Sequence, residues 1–416
     1  MATVITKNGK FELDIETLRG KNNARRTEVV LFFDGVNITE NLKPYLLSVE
    51  YTDNADGETD DLQIKLQDRD ELWEEDWLYY ILDAASLPVS KSISFTYSTD
   101  KKKNDDKTEE VRESNFLMQA LIVQKNWTYP GELSVLDCGG FFLDEITGSG
   151  PPNCITLKGS SAPYRATLRQ VQVSRHWQNI NLSGIAQIVA DNAGLKFMNL
   201  LKYDPWIGTS NQNKESDAKY LSRLCNQYDV NLKFTNTSIV LYSGHADTGE
   251  NPLPIGRKNL DGMDFRVGKA QTEYDSCRVS YVTPTGTTYS GIAYVEDYDP
   301  EREENLRLEL SMRCSSDAEA RLLAAYQLDR HNRYANTGSL TMAGNQSIVG
   351  GVAVSLWGFG LWNGRWLVSS ARHIVTGDGG YTTHAELRKL DVKTTGVDVI
   401  AAIQAGLVDI GRVIKT

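Results

Sequence analysis

The chain has 416 residues, a net charge of −11 and the composition of a soluble globular protein, with 40% hydrophobic and 24% charged residues. This length exceeds one ordinary hydrophobic core, so we expect roughly two to four folded units. No stretch approaches the roughly 18 consecutive apolar residues of a membrane span, and residues 1–26 lack the apolar centre of a secretory signal. The acidic balance argues against a protein that grips nucleic acid through its phosphates, but it is compatible with a surface past which nucleic acid slides.

The five cysteines are odd in number and lie far apart in the sequence. A disulfide framework needs pairs, so this pattern predicts reduced, mostly buried thiols in a protein made in a cytoplasm. They are Cys138, Cys154, Cys225, Cys277 and Cys314.

Strand-like segments dominate the first part of the chain. Residues 1–26 mix one such segment with a basic polar run, and we expect an N-terminal arm there. In residues 27–160, apolar and polar residues alternate, as in Leu62–Leu66, which predicts the half-buried strands of a first β-barrel or sandwich. Residues 69–82 predict a short helix with an aromatic face.

The middle of the chain, residues 161–243, changes to helical spacing. Leu182, Ile185 and Val189 lie on one face of a helix that Asn181 is placed to cap and Gly194 to end. A second helix is predicted behind a cap at Ser216, followed by two short strands. This predicts a small α/β unit within a β-rich chain.

The last part of the chain returns to strands. Residues 244–261 are rich in Gly, Pro and Asn and predict a linker. Residues 262–392 predict a second β-barrel that includes one helix over Ser315–Tyr334, capped by Ser316. Residues 393–416 predict an amphipathic C-terminal tail that docks on a partner or on the chain's own barrel, because their apolar residues exceed what one helix face of a monomer hides.

The middle unit also carries a resemblance. The runs Ser174–Trp177, Leu182–Leu195 and Lys214–Val230 resemble the middle of the phage late control protein D family. The most family-like phrase is Glu-Ser-Asp followed by a Leu-x-x-Leu helix and a short hairpin. Members of that family form the central baseplate hub of contractile phage tails and related injection particles, and the resemblance covers roughly Val29 to Leu390.

This resemblance implies an α+β, β-dominated fold. Two tube-type β-barrel domains would flank the α/β domain, and three copies would form a homotrimeric ring with pseudo-sixfold symmetry. The implied function is structural and non-enzymatic: a hub in the baseplate of a phage or tail-like bacteriocin particle, assembled in the bacterial cytoplasm. Its implied partners are other copies of itself, the central spike, the tail tube or tube initiator and other baseplate components, with DNA or a tape-measure protein passing through the channel.

Two groups of residues are candidates for that role. Aromatic residues are enriched in buried interface centres, although core packing is the commoner use of a tryptophan. The candidate interface anchors are Trp73, Trp77, Trp357, Trp362 and Trp366. Clustered carboxylates usually stay in water, so the acidic turn is expected to be solvated or to face the channel; its residues are Asp53, Asp56, Glu58, Asp60 and Asp61.

Enzymatic signatures are missing from the sequence. Neither Cys-x-x-Cys nor His-Glu-x-x-His occurs, a Gly-x-Ser-x-Gly elbow is absent, and no glycine run has P-loop spacing. We therefore predict no catalytic, cofactor-binding or metal-binding residues. Two alternatives stay open: a peptidoglycan hydrolase or cell-wall-binding tail protein, whose carboxylate pair would need a cleft, and an adhesin or carbohydrate-binding particle component.

Overall fold

The computed structural model describes most of the chain, and strands are its main element. The described residues are 2–6, 9–13, 27–33, 36–55, 59–69, 94–95, 112–113, 117–125, 133–161, 166–201, 204–235, 237–243, 252–267, 273–296, 298–302, 305–378 and 380–390. The predicted helix over 69–82, with Trp73 and Trp77, and the predicted tail over 393–416 lie outside these residues, as do Asp56 and Glu58.

The strands are β1 Ala2–Thr6, β2 Gly9–Leu13, β3 Thr27–Phe33, β4 Val36–Asn37, β5 Leu46–Asn54, β6 Asp61–Gln67, β7 Ser94–Phe95, β8 Arg112–Glu113, β9 Leu117–Lys125, β10 Leu133–Ser149, β11 Cys154–Ser160, β12 Gln172–Asn181, β13 Lys196–Leu200, β14 Trp206–Ser216, β15 Val230–Phe234, β16 Ser238–Ser243, β17 Leu253–Gly256, β18 Gly262–Val267, β19 Ser276–Val282, β20 Thr288–Tyr294, β21 Arg307–Ser311, β22 Asn336–Ala343, β23 Ala353–Trp357, β24 Gly364–Thr376 and β25 Tyr381–Lys389. The helices are α1 Thr39–Leu42, α2 Ala166–Arg169, α3 Leu182–Ala193, α4 Asp217–Gln227 and α5 Asp317–Arg333, with 3₁₀ turns at Arg257–Asn259 and Gly360–Trp362.

One 13-stranded sheet contains strands from both ends of the described chain. Its order is β18-β22-β25-β24-β5-β6-β11-β10-β9-β3-β4, with β23 also paired to β24 and β17 paired to β23. The two halves meet where β24 pairs antiparallel with β5, in a register that runs from Ser370 opposite Asn54 to Thr376 opposite Ser48. The two strand-rich halves are therefore one hydrogen-bonded sheet.

Two large hydrophobic cores lie on this sheet, beside a smaller cluster of Val30, Phe32, Leu121 and Val123. The first is built almost entirely from the early strands and includes Leu31, Leu62 and Phe141. The second is built from the late strands and includes Leu340, Trp366 and Leu387. Alternation explains the assignment, because every second residue of a strand points to the same face, and in β6 the residues Leu62, Ile64 and Leu66 are buried while their neighbours are not.

The middle unit has its own core, and α5 belongs to it. That core joins α3 and α4 to the sheet β13-β16-β15 and to the second small sheet β20-β19-β21, against which α5 packs. Arg333 near the end of α5 makes a bidentate ion pair with Asp229, with nitrogen–oxygen distances of 3.0 and 2.5 Å. Gln327 donates hydrogen bonds to the carbonyls of Asn226 and Gln227 at the end of α4.

This core corrects the predicted boundaries of the units. The helix over Asp317–Arg333 is confirmed, and Ser316 Oγ accepts a hydrogen bond from Glu319 N, but the helix packs with the middle unit rather than with a second barrel. The predicted linker 244–261 contains β17, which pairs parallel with β23 and so belongs to the main sheet. Which unit α5 and β17 belong to depends on contacts with residues far along the chain, and not on their local composition.

Candidate functional site

An exposed apolar patch lies at one end of the main sheet. The Trp357 patch, as we call it, consists of Trp357 and Leu361, whose exposed fractions are 58% and 73%. Trp357 ends β23, and its ring lies across Gly256 of the neighbouring β17, where a Cβ atom would overlap it. Leu361 is in the 3₁₀ turn that connects β23 to β24. Both side chains are exposed, four positions apart in the sequence.

The other described tryptophans of the predicted interface set lie deeper. Trp366 is fully buried, and its indole nitrogen donates a hydrogen bond to the Trp362 carbonyl at 3.0 Å. Trp362 is half-buried and stacks on Phe265 with ring centroids 5.3 Å apart. The prediction of an interface anchor is therefore wrong for Trp366, which fills the second core and packs against Phe265 with ring centroids 5.2 Å apart.

A buried ion cluster connects the middle unit to the main sheet. The Lys233 clasp comprises Lys233 of β15, Asp53 of β5 and Asp60, which precedes β6. Lys233 Nζ lies 2.7 Å from Asp53 Oδ1 and 3.0 Å from Asp60 Oδ2. It also donates a hydrogen bond to the Asn54 carbonyl at 3.2 Å.

Backbone groups hold the two carboxylates of the Lys233 clasp in place. Gly350 N donates to Asp53 Oδ2 at 3.1 Å, and Asn54 N donates to Asp60 Oδ1 at 3.0 Å. Burial raises the pKa of Asp60 to about 6 even though Lys233 pulls it down. Burial alone would lower the pKa of Lys233, but Asp60 and Asp53 raise it above its ordinary value. The lysine therefore stays charged at neutral pH.

The clasp corrects the prediction for the acidic turn. Asp53 and Asp60 are each 7% exposed, so the expectation of solvated or channel-facing carboxylates is wrong for both. The two carboxylates can be buried because Lys233 neutralises their negative charge. Without such a partner, ionised carboxylates stay in water. Asp61 is exposed, and its predicted role stays a prediction.

A polar cleft of about 980 Å³ separates the middle unit from the main sheet beside this clasp. One wall comes from α4, α5 and the start of β15, including Asn226 and Asp229, and the other from β18, β22, β24 and β25, including Arg266, Ser370 and Glu386. Its lining offers hydrogen-bonding groups and charges of both signs. Such a cleft suits a polar segment better than an apolar small molecule.

A second exposed surface is the edge strand β13. It lies at the border of the sheet β13-β16-β15, and its Met198 and Leu200 are largely exposed. Edge strands present unpaired backbone groups that can accept a strand from another chain.

The cysteine thiols are buried in the protein. All five cysteines are free and buried, which confirms the prediction of reduced, buried thiols. Burial raises the pKa of Cys277 to about 12 and that of Cys314 to about 11, so neither forms the thiolate that nucleophilic chemistry needs. Within the described residues, no group of three or more His, Cys, Asp or Glu side chains is arranged to hold a metal ion.

Asp53 and Asp60 also lack the setting of a glycosidase pair. Such a pair works in an open cleft with one carboxyl free to protonate the substrate. Here both carboxylates are buried and engaged by the same lysine. Among the described helices, none is long and apolar enough to span a bilayer.

Sequence comparison finds relatives among phage proteins. A segment of 257 residues, 58% of this chain, is 24% identical to the probable baseplate hub protein of Escherichia phage P2, and a segment of 245 residues is 24% identical to that of Escherichia phage 186. The chain matches about half the length of these relatives, 52% of each. No protein-family model matches the chain.

Solved structures with a similar fold are also tail proteins. The 43 kDa tail protein of prophage MuSo2 from Shewanella oneidensis aligns with a TM-score of 0.57 at 14% identity, over 88% of this chain and 99% of that one. A tail protein from Neisseria meningitidis aligns with a TM-score of 0.58 at 10% identity, over 88% of this chain and 97% of that one. The resemblance that the motifs of the middle unit indicate is confirmed: the chain is similar in sequence to phage baseplate hub proteins and shares its fold with phage tail proteins.

Proposed function

We propose that the chain is a structural baseplate hub of a contractile phage tail or a related tail-like particle. The sequence similarity to two baseplate hub proteins carries this proposal. The shared fold supports it, because a continuous 13-stranded sheet is suited to form a rigid wall. In this role the protein is not an enzyme; it joins the tail tube to the central spike, within a particle that is assembled in the bacterial cytoplasm.

We further propose that three copies form a ring in which each copy contributes two tube-type barrels. In support of this proposal, the main sheet carries two large cores, one built mostly from early strands and one from late strands, as two barrels within one chain would need. The edge strand β13, with Met198 and Leu200 exposed, is a candidate contact between copies or with another baseplate component. Obligate interfaces of this kind bury roughly 2,000–5,000 Å².

The mass of the purified protein in solution tests the assembly. Light scattering of the protein alone should give three times the chain mass of 46.4 kDa. In the presence of the candidate spike protein, the mass should increase by that of one bound spike assembly. A protein that stays a single copy in the presence of excess spike would contradict the ring. The double variant Met198→Asp with Leu200→Asp should weaken assembly if β13 is a contact. The control is Val282→Asp, at an exposed position of β19, which should leave assembly unchanged.

The channel is the remaining part of the proposal. Each chain has a net charge of −11. A ring of three chains would present an acidic lumen, along which DNA or a tape-measure protein passes without binding. Asp61, an exposed residue of the acidic turn, is the candidate among the described residues to face this channel. A reconstruction of the assembled particle should show negative potential along the lumen, and a basic lumen would refute this part.

A further inference from the structure

We propose that the Trp357 patch of one copy contacts an acidic loop of a second copy of this chain. The contact rests on the proposed ring and names the surfaces through which its copies meet. The acidic loop connects β20 to β21 on the middle unit. Its residues in this contact are Tyr294, Glu296, Asp299, Glu301 and Leu306, all of them exposed.

Basic residues lie beside the Trp357 patch. Arg257 and Lys258 are in the 3₁₀ turn that follows Gly256, the residue under the Trp357 ring. Arg365 of β24 is opposite the residue two positions before Trp357, so both side chains point to the same side of the sheet. All three basic residues are exposed. Neither segment that forms this surface contains an acidic residue: residues 253–260 and 353–366.

The acidic loop has the complementary properties. Buried Asp275 fixes both of its ends, because its carbonyl accepts a hydrogen bond from Val295 N at 3.1 Å and its carboxylate accepts one from Leu306 N at 3.0 Å. Arg302 Nη1 lies 3.4 Å from Asp275 Oδ1, so this positive charge is bound within the loop. The exposed carboxylates of the loop thus stand beside two exposed apolar side chains, Tyr294 and Leu306.

A second copy of the chain matches the Trp357 patch in charge and in apolar surface. Opposite charges favour the encounter of the two surfaces, and contact removes apolar side chains of both from water. The two surfaces differ, and every copy carries one of each. Their contact therefore joins copies head to tail, and contacts of this type close into a ring when the rotation between copies allows it.

Cross-linking between two variants tests which surfaces meet. One chain carries Leu361→Cys in the Trp357 patch and the other carries Leu306→Cys in the acidic loop, and the native cysteines are buried. A short bismaleimide should link the two variants in a mixture, but neither variant to itself. The control replaces Leu306→Cys with Val282→Cys and should give no link. Val282 is exposed and pairs with Thr288, at the end of β20 opposite Tyr294.

Charge reversal tests the complementarity. Arg257→Glu with Lys258→Glu, in the chain with the patch cysteine, should lower the yield of linked pairs at least about tenfold, because like charges across an interface oppose association. Glu296→Lys with Glu301→Lys, in the chain with the loop cysteine, should restore the yield. All four positions are exposed, so these substitutions do not disturb a hydrophobic core.

The outcomes separate this contact from the ring itself. Trimers of the native protein without linked pairs would overturn the contact and leave the ring in place. Linked pairs whose yield is unchanged by charge reversal in the Trp357 patch would also overturn it. Linked pairs that respond to charge, from a protein that never reaches the mass of three chains, would support the contact and contradict the closed ring. The absence of both links and trimers would contradict both proposals.

Discussion

Lys233 supplies the positive charge that allows two carboxylates to be buried at the junction of the middle unit and the main sheet. Lys233→Met keeps the aliphatic stem but leaves Asp53 and Asp60 without their cation. Removal of one partner from a buried ion cluster typically costs about 3–5 kcal/mol. We therefore expect a loss of that size in the free energy of unfolding, measured in urea. Lys219→Met, at an exposed position of α4, is the control and should change it by less than about 0.5 kcal/mol.

His373 gives the fold a dependence on pH. Its imidazole is fully buried, stacks on Tyr51 at 5.9 Å and hydrogen-bonds Tyr381 Oη through Nδ1 at 2.8 Å. Burial lowers the pKa of His373 to about 4, below its ordinary value of 6.5. The unfolded chain therefore takes up a proton in this range before the folded chain does, so stability is lost as the pH falls from 6.5 towards 4.

The variant His373→Gln has no imidazole to titrate. Relative to this variant, the native chain should lose up to roughly 3 kcal/mol between pH 6.5 and 4. Asp60 has the opposite effect on the pH dependence of stability. Its pKa is raised from 3.8 to about 6, so its contribution to stability decreases as the pH rises through that range. The difference between variant and native unfolding free energies at each pH isolates His373. Parallel pH profiles would contradict the assignment.

At the scale of elements, the contact between α5 and β20 depends on a glycine. A Cβ atom at Gly291 of β20 would overlap the backbone of Ala320 and Arg321 in α5, so the helix would have to move. Gly291→Ala should lower stability by about 1–3 kcal/mol, as overpacking commonly does. Gly148→Ala, where a Cβ atom meets nothing within 4 Å, is the matched control for thermal unfolding. Similar melting temperatures for the two variants would mean that α5 can shift away from residue 291 without a loss of stability.

Elements with local signals could be predicted from the sequence. The spacing of Leu182, Ile185 and Val189 identified α3, and Gly194 ends it in a left-handed conformation with φ of 62°. Even here one detail differs. Asn181 occupies the cap position, but its side chain donates to Asp204, and the carboxylate of Asp204 accepts from Ser183 N instead. That acceptor comes from a loop after the helix, which local spacing does not reveal.

Elements whose role depends on distant partners could not be predicted. The strand β17 has the composition of a linker and becomes a strand only because β23 pairs with it. Asp53 and Asp60 have the pattern of a solvated turn, and only Lys233, far along the chain, explains their burial. The same holds for α5, whose partners Asn226 and Asp229 lie about a hundred positions earlier. Sequence spacing reports periodicity within an element, but not which elements meet.

At the scale of the whole molecule, the shared sheet should make both cores unfold together. Leu62→Ala affects the first core and Leu387→Ala the second, and each should cost about 2–5 kcal/mol as buried leucines do. Because β5 and β24 pair directly, both variants should shift the same calorimetric transition. Two transitions, each sensitive to one variant only, would show that the halves are independent in spite of their pairing.

The pairing of β5 with β24 has a consequence for biosynthesis. The edge of β5 at Ser48–Asn54 leaves the ribosome long before its partner Ser370–Thr376, since Asn54 and Ser370 lie 316 positions apart in the chain. Until then one border of the nascent sheet is open to pairing with neighbouring chains, and closing so long a loop is slow. Translation speed and the supply of chaperones should therefore govern the yield of native protein more strongly than for a chain whose strands pair with their sequence neighbours.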